Sequence, residues 1–87
     1  MYYVYLLQNV ADEKDVYIGY TNNLKRRLKE HNLASNRGYT RGKQWRLVYY
    51  ESYLAESDAR RRERRLKQDG RARYQLMRRI SASLMVD

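Results

Sequence analysis

Two tyrosine-bearing segments, an arginine and a glutamate are the residues of this sequence that could together cut a phosphodiester bond. Tyr3-Val4-Tyr5 precedes Tyr17-Ile18-Gly19, which leads into a basic stretch with Arg27, and Glu63 follows within an arginine-rich run. An arginine can grip a phosphate through two parallel N–H bonds. A carboxylate can hold a Mg²⁺ or Mn²⁺ ion that polarises the phosphate. A tyrosine, whose ordinary pKa is about 10, could take the proton of the attacking water if a nearby cation lowered that pKa.

Each of these residues also has a purely structural interpretation. Tyrosine is common in strands, and the stem of Arg27 could extend along neighbouring leucines while its charge stays in water. Glu63 lies four residues before Lys67, so it could serve only as a helical ion-pair partner. The sequence leaves both interpretations open at each position.

Alternation of side chains indicates the strands that would position the two tyrosines. We expect strands over residues 2–7 and 15–20, joined by a polar hairpin connection over residues 8–14. Because neighbouring side chains of a strand point to opposite faces, a suitable register would put Tyr5 and Tyr17 on the same face. The glycine of the second segment would leave space beside them.

A third strand is expected over Trp45–Tyr53, after a loop over residues 33–44. Trp45, Tyr49 and Tyr53 could stack on nucleic-acid bases, although core packing is the more common use of such residues. Together with the helices described next, three strands predict an α/β (α+β) fold in which a three-stranded antiparallel sheet is flanked by helices.

The first helix would carry the arginine. A helix over residues 22–31 places Leu24, Arg27, Leu28 and His31 on one stripe. Arg27 is then a charged residue on or beside an apolar face, ready for an anion. His31, at the end of the helix, could be placed there simply because the helix dipole favours it.

The second helix would carry the glutamate. It is expected to run to about Gln68, with Glu63 on the same side as Ala59 and Leu66. A C-terminal helix is expected over about residues 71–85, with apolar residues on one side that indicate packing.

Length and composition predict one small domain over residues 1–87, with its core over about 2–76. There are no cysteines, which fits a reducing cytoplasm and excludes disulfides and thiolate metal sites. No stretch of the sequence is typical of a signal peptide or of a membrane span. We therefore expect a cytoplasmic protein without a membrane partner, and no residues indicate a small organic cofactor.

The charge of the chain favours an anionic partner. Nineteen lysines and arginines against ten acids give a net charge of +9, which is most often a sign of nucleic-acid binding. Ten of the basic residues lie between Arg60 and Arg79, opposed only by Glu63 and Asp69. We expect DNA, with RNA as an alternative, to contact six basic residues: Arg26, Arg41, Lys43, Arg61, Arg64 and Lys67. A ribosome-associated or merely basic protein is the alternative that charge alone leaves open.

In order and spacing, these segments resemble the GIY-YIG nuclease domain from Tyr2 to about Leu76. The resemblance rests on Tyr3-Val4-Tyr5, Tyr17-Ile18-Gly19, Asn23-Leu24-Lys25-Arg26-Arg27-Leu28 and Ala59-Arg60-Arg61-Arg62-Glu63. The chain is similar to the small stand-alone members of that family rather than to its multidomain repair or homing nucleases.

The resemblance implies a three-stranded antiparallel sheet and a site that binds one divalent metal ion, Mg²⁺ or Mn²⁺. It implies that Arg27 binds phosphate and Glu63 binds the metal. It also implies that Tyr17 is the general base, that Tyr5 orients water or substrate, and that His31 lies near the site.

Three positions depart from the family pattern. Tyr3 stands where many members have glycine, and Tyr20 stands where repair nucleases have a lysine that could lower the pKa of a tyrosine. The asparagine that often completes the site has no match after Gly70.

We therefore expect a metal-dependent endonuclease that hydrolyses DNA at a structured or damaged site, in repair or recombination. The alternative is a basic nucleic-acid-binding module with weak or no cleavage, whose binding would depend on salt but not on metal. A third interpretation is an adaptor that uses the fold to bind another protein, whose identity the sequence does not indicate.

Overall fold

The computed structural model describes residues 1–33 and 38–85; the middle of the predicted loop, residues 34–37, lies outside them. Within this part of the chain three strands form one antiparallel sheet in the order β2-β1-β3, and helices pack on it, which confirms the predicted fold class. The elements, in chain order, are β1 (Tyr2–Asn9), β2 (Asp12–Thr21), α1 (Leu24–Asn32), β3 (Trp45–Tyr53), α2 (Glu56–Gln68), α3 (Gly70–Arg79) and α4 (Ser81–Leu84). None of the helices in the described residues is long and apolar enough to cross a membrane.

Side-chain alternation along β1 divides the core into two parts. On one face of the sheet, Val4 and Leu6 pack against residues of α2 and α3 such as Leu66. On the other face, Tyr5 and Leu7 pack with a group formed by Trp45, Tyr17, Leu24, Leu28 and Leu47. We call these the α2 face and the α1 face, after the helices that cover them. Tyr5 and Tyr17 lie together on the α1 face, as alternation predicts.

The predicted connection over residues 8–14 is wrong, because the strands extend through most of it. β1 continues to Asn9 and β2 begins at Asp12, which leaves a turn of two residues. Gln8 is polar but 1% exposed, and its side-chain amide donates to the carbonyls of Glu13 and Leu84 at 3.0 and 2.7 Å. A polar side chain with its hydrogen bonds satisfied can lie in a buried strand.

The predicted C-terminal helix is also wrong in one respect, because it is broken at Ile80. α3 begins at Gly70, where the Asp69 side chain accepts hydrogen bonds from the N–H groups of Arg71 and Ala72. Ile80 leaves the helical conformation, with φ −108° and ψ 24°, and is buried in the core of the α2 face. The following short helix α4 ends at Leu84, whose carbonyl is the one that Gln8 binds.

An ion pair on the α2 face ties α2 to β3. The Nε and Nη2 atoms of Arg62 each donate to Glu51 at 3.0 Å, and the hydroxyls of Tyr49 and Tyr53 donate to the same carboxylate. Burial favours the neutral acid, but these hydrogen bonds outweigh it and hold the pKa of Glu51 below its ordinary value. Tyr49 and Tyr53 are therefore used for packing and hydrogen bonding rather than for stacking on bases.

The phenol ring of Tyr5 lies directly across Gly19. The two residues are paired on neighbouring strands, and a Cβ atom at position 19 would lie 2.3 Å from Tyr5 Oη and 2.4 Å from its Cζ. These distances are far below van der Waals contact, so any side chain at position 19 would displace the ring. The glycine of Tyr17-Ile18-Gly19 is thus required for the position of Tyr5.

We expect Gly19→Ala to lower the free energy of unfolding by about 1–3 kcal/mol, as overpacking of a core does. Denaturation by urea measures this change. Gly70→Ala is the control, because the nearest contact of its Cβ would be Arg73 Nη2 at 3.9 Å. If Gly19→Ala were as stable as Gly70→Ala, the ring of Tyr5 would not be confined by this contact.

Candidate active site

A chain of hydrogen bonds connects Tyr5 to His31 and Thr40 beneath the surface. Tyr5 Oη lies 2.7 Å from His31 Nε2, and His31 Nδ1 lies 2.9 Å from Thr40 Oγ1. All three residues are buried, with exposures of 3%, 2% and 3%. His31 reaches this position because it lies on the stripe of α1 whose leucines pack on the sheet. The helix dipole alone therefore does not account for His31, because its ring is buried and hydrogen-bonded on both nitrogens.

Burial keeps this chain uncharged. It raises the pKa of Tyr5 to about 12, against the opposing charge of Arg27, while Tyr17 and Glu63 add to the rise. It lowers the pKa of His31 to about 4, and the charge of Arg27 acts in the same direction. At neutral pH Tyr5 is a phenol and His31 a neutral imidazole with one N–H. If Tyr5 donates to Nε2, then Nδ1 donates to Thr40; if Nε2 donates to Tyr5, then Thr40 donates to Nδ1.

Tyr17 lies beside this chain, within a group of aromatic rings. Its ring meets that of His31 edge to face, with centroids 5.1 Å apart. It is nearly parallel to the ring of Tyr39, at 6.2 Å and an angle of 17°. It also lies near Trp45, whose indole N–H donates to the Thr40 carbonyl. The second tyrosine of the predicted site is thus held by packing on its ring.

Arg27 occupies the border between the buried chain and solvent. Its side chain is 35% exposed, and Nη1 donates to Glu30 Oε1 at 3.0 Å. The guanidinium is close enough to the chain for its charge to lower the pKa values of both Tyr5 and His31. The sequence left open whether this side chain extends along leucines or meets an anion. In the structure Arg27 belongs to the buried stripe, and its charge lies at the surface beside Glu30.

Glu63 approaches the site from α2. Its side chain is 25% exposed and pairs with Lys67, whose Nζ lies 3.3 Å from Glu63 Oε2. The charge of Glu63 contributes to the raised pKa of Tyr5, so the carboxylate lies within electrostatic range of the buried chain. The ion pair with Lys67 that the sequence suggested is present, and it lies next to the predicted site rather than away from it.

Lys67 connects α2 to Tyr17. Its Nζ lies 5.6 Å from the centroid of the Tyr17 ring on the edge strand β2. Tyr20, by contrast, lies on the α2 face, where its hydroxyl binds Glu56 and its ring contacts Arg60. A lysine therefore does lie beside Tyr17, but it comes from α2 and not from the position that follows Gly19.

The donor set fits a metal ion that is bound mainly by water. The described residues contain no group of three or more His, Cys, Asp or Glu side chains that could hold a metal. Mg²⁺ typically keeps several waters and binds one or two carboxylates together with substrate phosphates. Glu63, half-buried with one ammonium partner, can supply such a single carboxylate contact. A cage made entirely of protein ligands does not fit these residues.

The six basic residues expected at nucleic acid lie on three parts of the chain. Arg26 on α1, Arg41 after α1, and Arg61 and Arg64 on α2 are exposed. Lys43 is partly buried: its Nζ binds Asp15 at 2.9 Å and lies 3.9 Å above the Tyr39 ring. The ammonium group of Lys43 is therefore already engaged in contacts within the protein.

Sequence reasoning missed Thr40 and Tyr39, which contact the predicted site from the segment after α1. Thr40 binds His31, and Tyr39 is nearly parallel to Tyr17. The segment has no periodic pattern in which a partner of a buried histidine could be recognised.

A family model, curated relatives and a solved structure all match most of this chain. A family model described as the GIY-YIG catalytic domain matches residues 1–75. A UPF0213 protein of Halobacterium salinarum is 37% identical over 78 residues, covering 88% of this chain and 99% of the relative. A UPF0213 protein of Clostridium perfringens is 40% identical over 68 residues, covering 77% of this chain and 71% of the relative. The solution NMR structure of a UPF0213 protein from Bacillus halodurans has a TM-score of 0.53 and 34% identity, covering 88% of this chain and 83% of that one.

The protonation of His31 predicts a dependence of stability on pH. Its pKa is about 4 when folded and 6.5 in the reference state, so between these values the unfolded chain binds a proton that the folded chain does not. The free energy of unfolding should therefore fall as the pH is lowered through this window, by about 2–3 kcal/mol from this residue. Urea denaturation of the wild type and of His31→Gln over this range isolates the effect, because the carboxylates titrate in both proteins. Parallel pH profiles for the two would contradict it.

Proposed function

Because the chain belongs to the GIY-YIG catalytic-domain family, we propose that it is a metal-dependent endonuclease that hydrolyses phosphodiester bonds in DNA. The observation that carries this proposal is the convergence of Tyr5, Tyr17, Arg27 and His31 on the α1 face, with Glu63 within electrostatic range. The four lie on three different elements, and a domain used only for binding would not need to collect them around one point.

The two tyrosines have different proposed roles. Tyr5 has a pKa of about 12, so its phenolate is rarely present at neutral pH and the residue is poorly suited to removing a proton from water by itself. Its hydroxyl, held by His31, instead orients the attacking water or a phosphate oxygen. Tyr17, which is less buried, is the proposed general base. Both assignments rest on the family resemblance together with these differences in burial and hydrogen bonding.

Arg27 and Glu63 would act on the phosphate. The guanidinium of Arg27 lies at the surface beside the buried chain, where it can donate two N–H groups to phosphate oxygens in place of its bond to Glu30. Glu63 would hold one Mg²⁺ or Mn²⁺ ion, which when bound supplies Lewis-acid stabilisation of charge on the phosphate and the leaving oxygen. Lys67, whose Nζ lies 3.3 Å from Glu63 Oε2, holds the Glu63 carboxylate in position.

A nucleic-acid-binding module with little cleavage is the second candidate. The ion pair between Glu63 and Lys67 favours it, because a carboxylate already paired with an ammonium must share that partner to bind a metal. The net charge of +9 suits either function.

The wider setting of the activity is part of the proposal. We place it in repair or recombination of structured or damaged DNA, carried out in the cytoplasm by residues 1–87 acting as a single unit. RNA is the alternative substrate.

Replacing Glu63 should remove most of the activity. We expect Glu63→Gln to slow nicking of supercoiled plasmid in Mg²⁺ or Mn²⁺ by about 100-fold or more, since a metal supplies several kcal/mol of stabilisation to the transition state. Glu56→Gln is the matched control on the same helix, and EDTA should abolish nicking by the wild type. Nicking by Glu63→Gln at the wild-type rate would reduce the glutamate to an ion-pair partner of Lys67.

Replacing Arg27 should separate a phosphate-binding role from a structural one. We expect Arg27→Gln to slow nicking by about ten- to a hundredfold, the value of one or two hydrogen bonds to a charged group, while the midpoint of thermal unfolding changes little. Lys29→Gln removes a positive charge from an exposed residue of the same helix and should have a much smaller effect. If Arg27→Gln fails to fold, as circular dichroism would show, the arginine is structural and the phosphate must be bound elsewhere.

A further inference from the structure

An open cleft of about 470 Å³ lies next to the candidate active site, on the outer side of β2. It is lined by six residues: Val16, Tyr17, Ile18, Tyr39, Lys67 and Arg73. Tyr17 and Lys67 belong both to this cleft and to the group around Glu63. Anything bound in the cleft would therefore be next to the bond being cut. Its volume is within the range of pockets that hold small ligands.

The charged lining of the cleft is entirely positive. Its two charged residues, Lys67 and Arg73, come from α2 and α3. Arg73 Nη1 donates to the carbonyls of Leu66 and Lys67 at 3.0 and 3.1 Å. This contact holds the guanidinium of Arg73 against the end of α2. Its other nitrogens remain able to donate to a ligand. The cleft thus presents two positioned cations to an anion, of which Lys67 also pairs with Glu63 outside the cleft.

The remaining lining is aromatic and aliphatic. The rings of Tyr17 and Tyr39 are nearly parallel, and Tyr39 is 59% exposed. The Tyr39 hydroxyl donates to Asp15, which fixes the ring at the mouth of the cleft. Aromatic rings beside cations form the combination that binds single-stranded nucleic acid, in which the bases are free to contact a ring.

We propose that this cleft receives one unpaired nucleotide of the DNA strand being cut, adjacent to the scissile phosphate. The phosphate of that nucleotide contacts Lys67 and Arg73, and its base and sugar contact the rings of Tyr39 and Tyr17. A base within a duplex is paired and stacked and cannot enter, so the cleft favours substrates with an unpaired nucleotide beside the cut. This inference rests on the proposed function and gives it a class of substrate.

Two variants of α3, each of which removes one positive charge, test whether the charge of the cleft contributes to DNA binding. Arg73→Gln alters the cleft, whereas Arg71→Gln alters an exposed residue outside it. Binding is measured in EDTA, so that nothing is cut, by fluorescence anisotropy of a labelled duplex with and without one unpaired nucleotide. We expect Arg73→Gln to weaken binding of the interrupted duplex more than Arg71→Gln does, and to reduce the salt dependence of log K by about 0.7, as for one lost phosphate contact to a single strand. Equal effects of the two variants would overturn the proposal.

The aromatic contact is tested with three further variants. Tyr39→Leu should weaken binding of the interrupted duplex by about fivefold or more, while Tyr39→Phe, which keeps the ring and loses only the bond to Asp15, should bind nearly as the wild type does. Tyr74→Leu, which changes an exposed tyrosine outside the cleft, should have no effect. If Tyr39→Phe binds as weakly as Tyr39→Leu, the hydroxyl and not the ring is responsible, and the aromatic part of the proposal fails.

The two proposals can fail separately. If no metal supports nicking but the Arg73 and Tyr39 variants still lose binding of the interrupted duplex, the cleft is correct and the nuclease assignment is wrong. If the protein cuts DNA but continuous and interrupted duplexes bind equally well to the wild type and every variant, the nuclease assignment stands and the cleft proposal is wrong.

Discussion

The contact between the Tyr5 ring and Gly19 is the constraint on which the site depends. β1 is the central strand, and hydrogen bonds to a neighbouring strand on each side hold the backbone of Tyr5 in place. With no side chain at position 19, the ring lies across its neighbour and the hydroxyl meets His31. The histidine in turn lies between the sheet and Thr40. The Tyr5 ring thus contacts α1 directly, and the segment after α1 through His31.

The site combines an uncharged interior with a charged border. Tyr5, His31 and Thr40 are buried and hydrogen-bonded to one another, which is how polar groups avoid the cost of leaving water. The charges of Arg27, Glu63 and Lys67 lie in partly exposed positions around them. This division keeps the phenol and the imidazole neutral while the charged groups stay at the surface.

The sequence predicted those features that depend on local pattern. The alternation that places Tyr5 with Tyr17, the bounds of β3 and the stripe of α1 are all set by periodicity within one element. The features it missed depend on partners distant in the chain. Gln8 is tolerated in a strand because Leu84 accepts its hydrogen bond, and the C-terminal helix breaks where Ile80 enters the core. Thr40 meets His31 across a loop without pattern, and Lys67 reaches Tyr17 only through the docking of α2 on the sheet.

The ion pair between Glu51 and Arg62 connects the helix that carries Glu63 to a part of the sheet outside the candidate site. Arg62 immediately precedes Glu63 along α2, and it is anchored to β3, the strand at the opposite edge of the sheet from β2. The position of the segment of α2 that carries Glu63 therefore depends on a contact with a remote strand. A substitution at Glu51 that broke this ion pair would loosen the attachment of α2 to the sheet, and with it the helix that carries Glu63. Attempts to transplant this site onto another scaffold would have to carry that strand along.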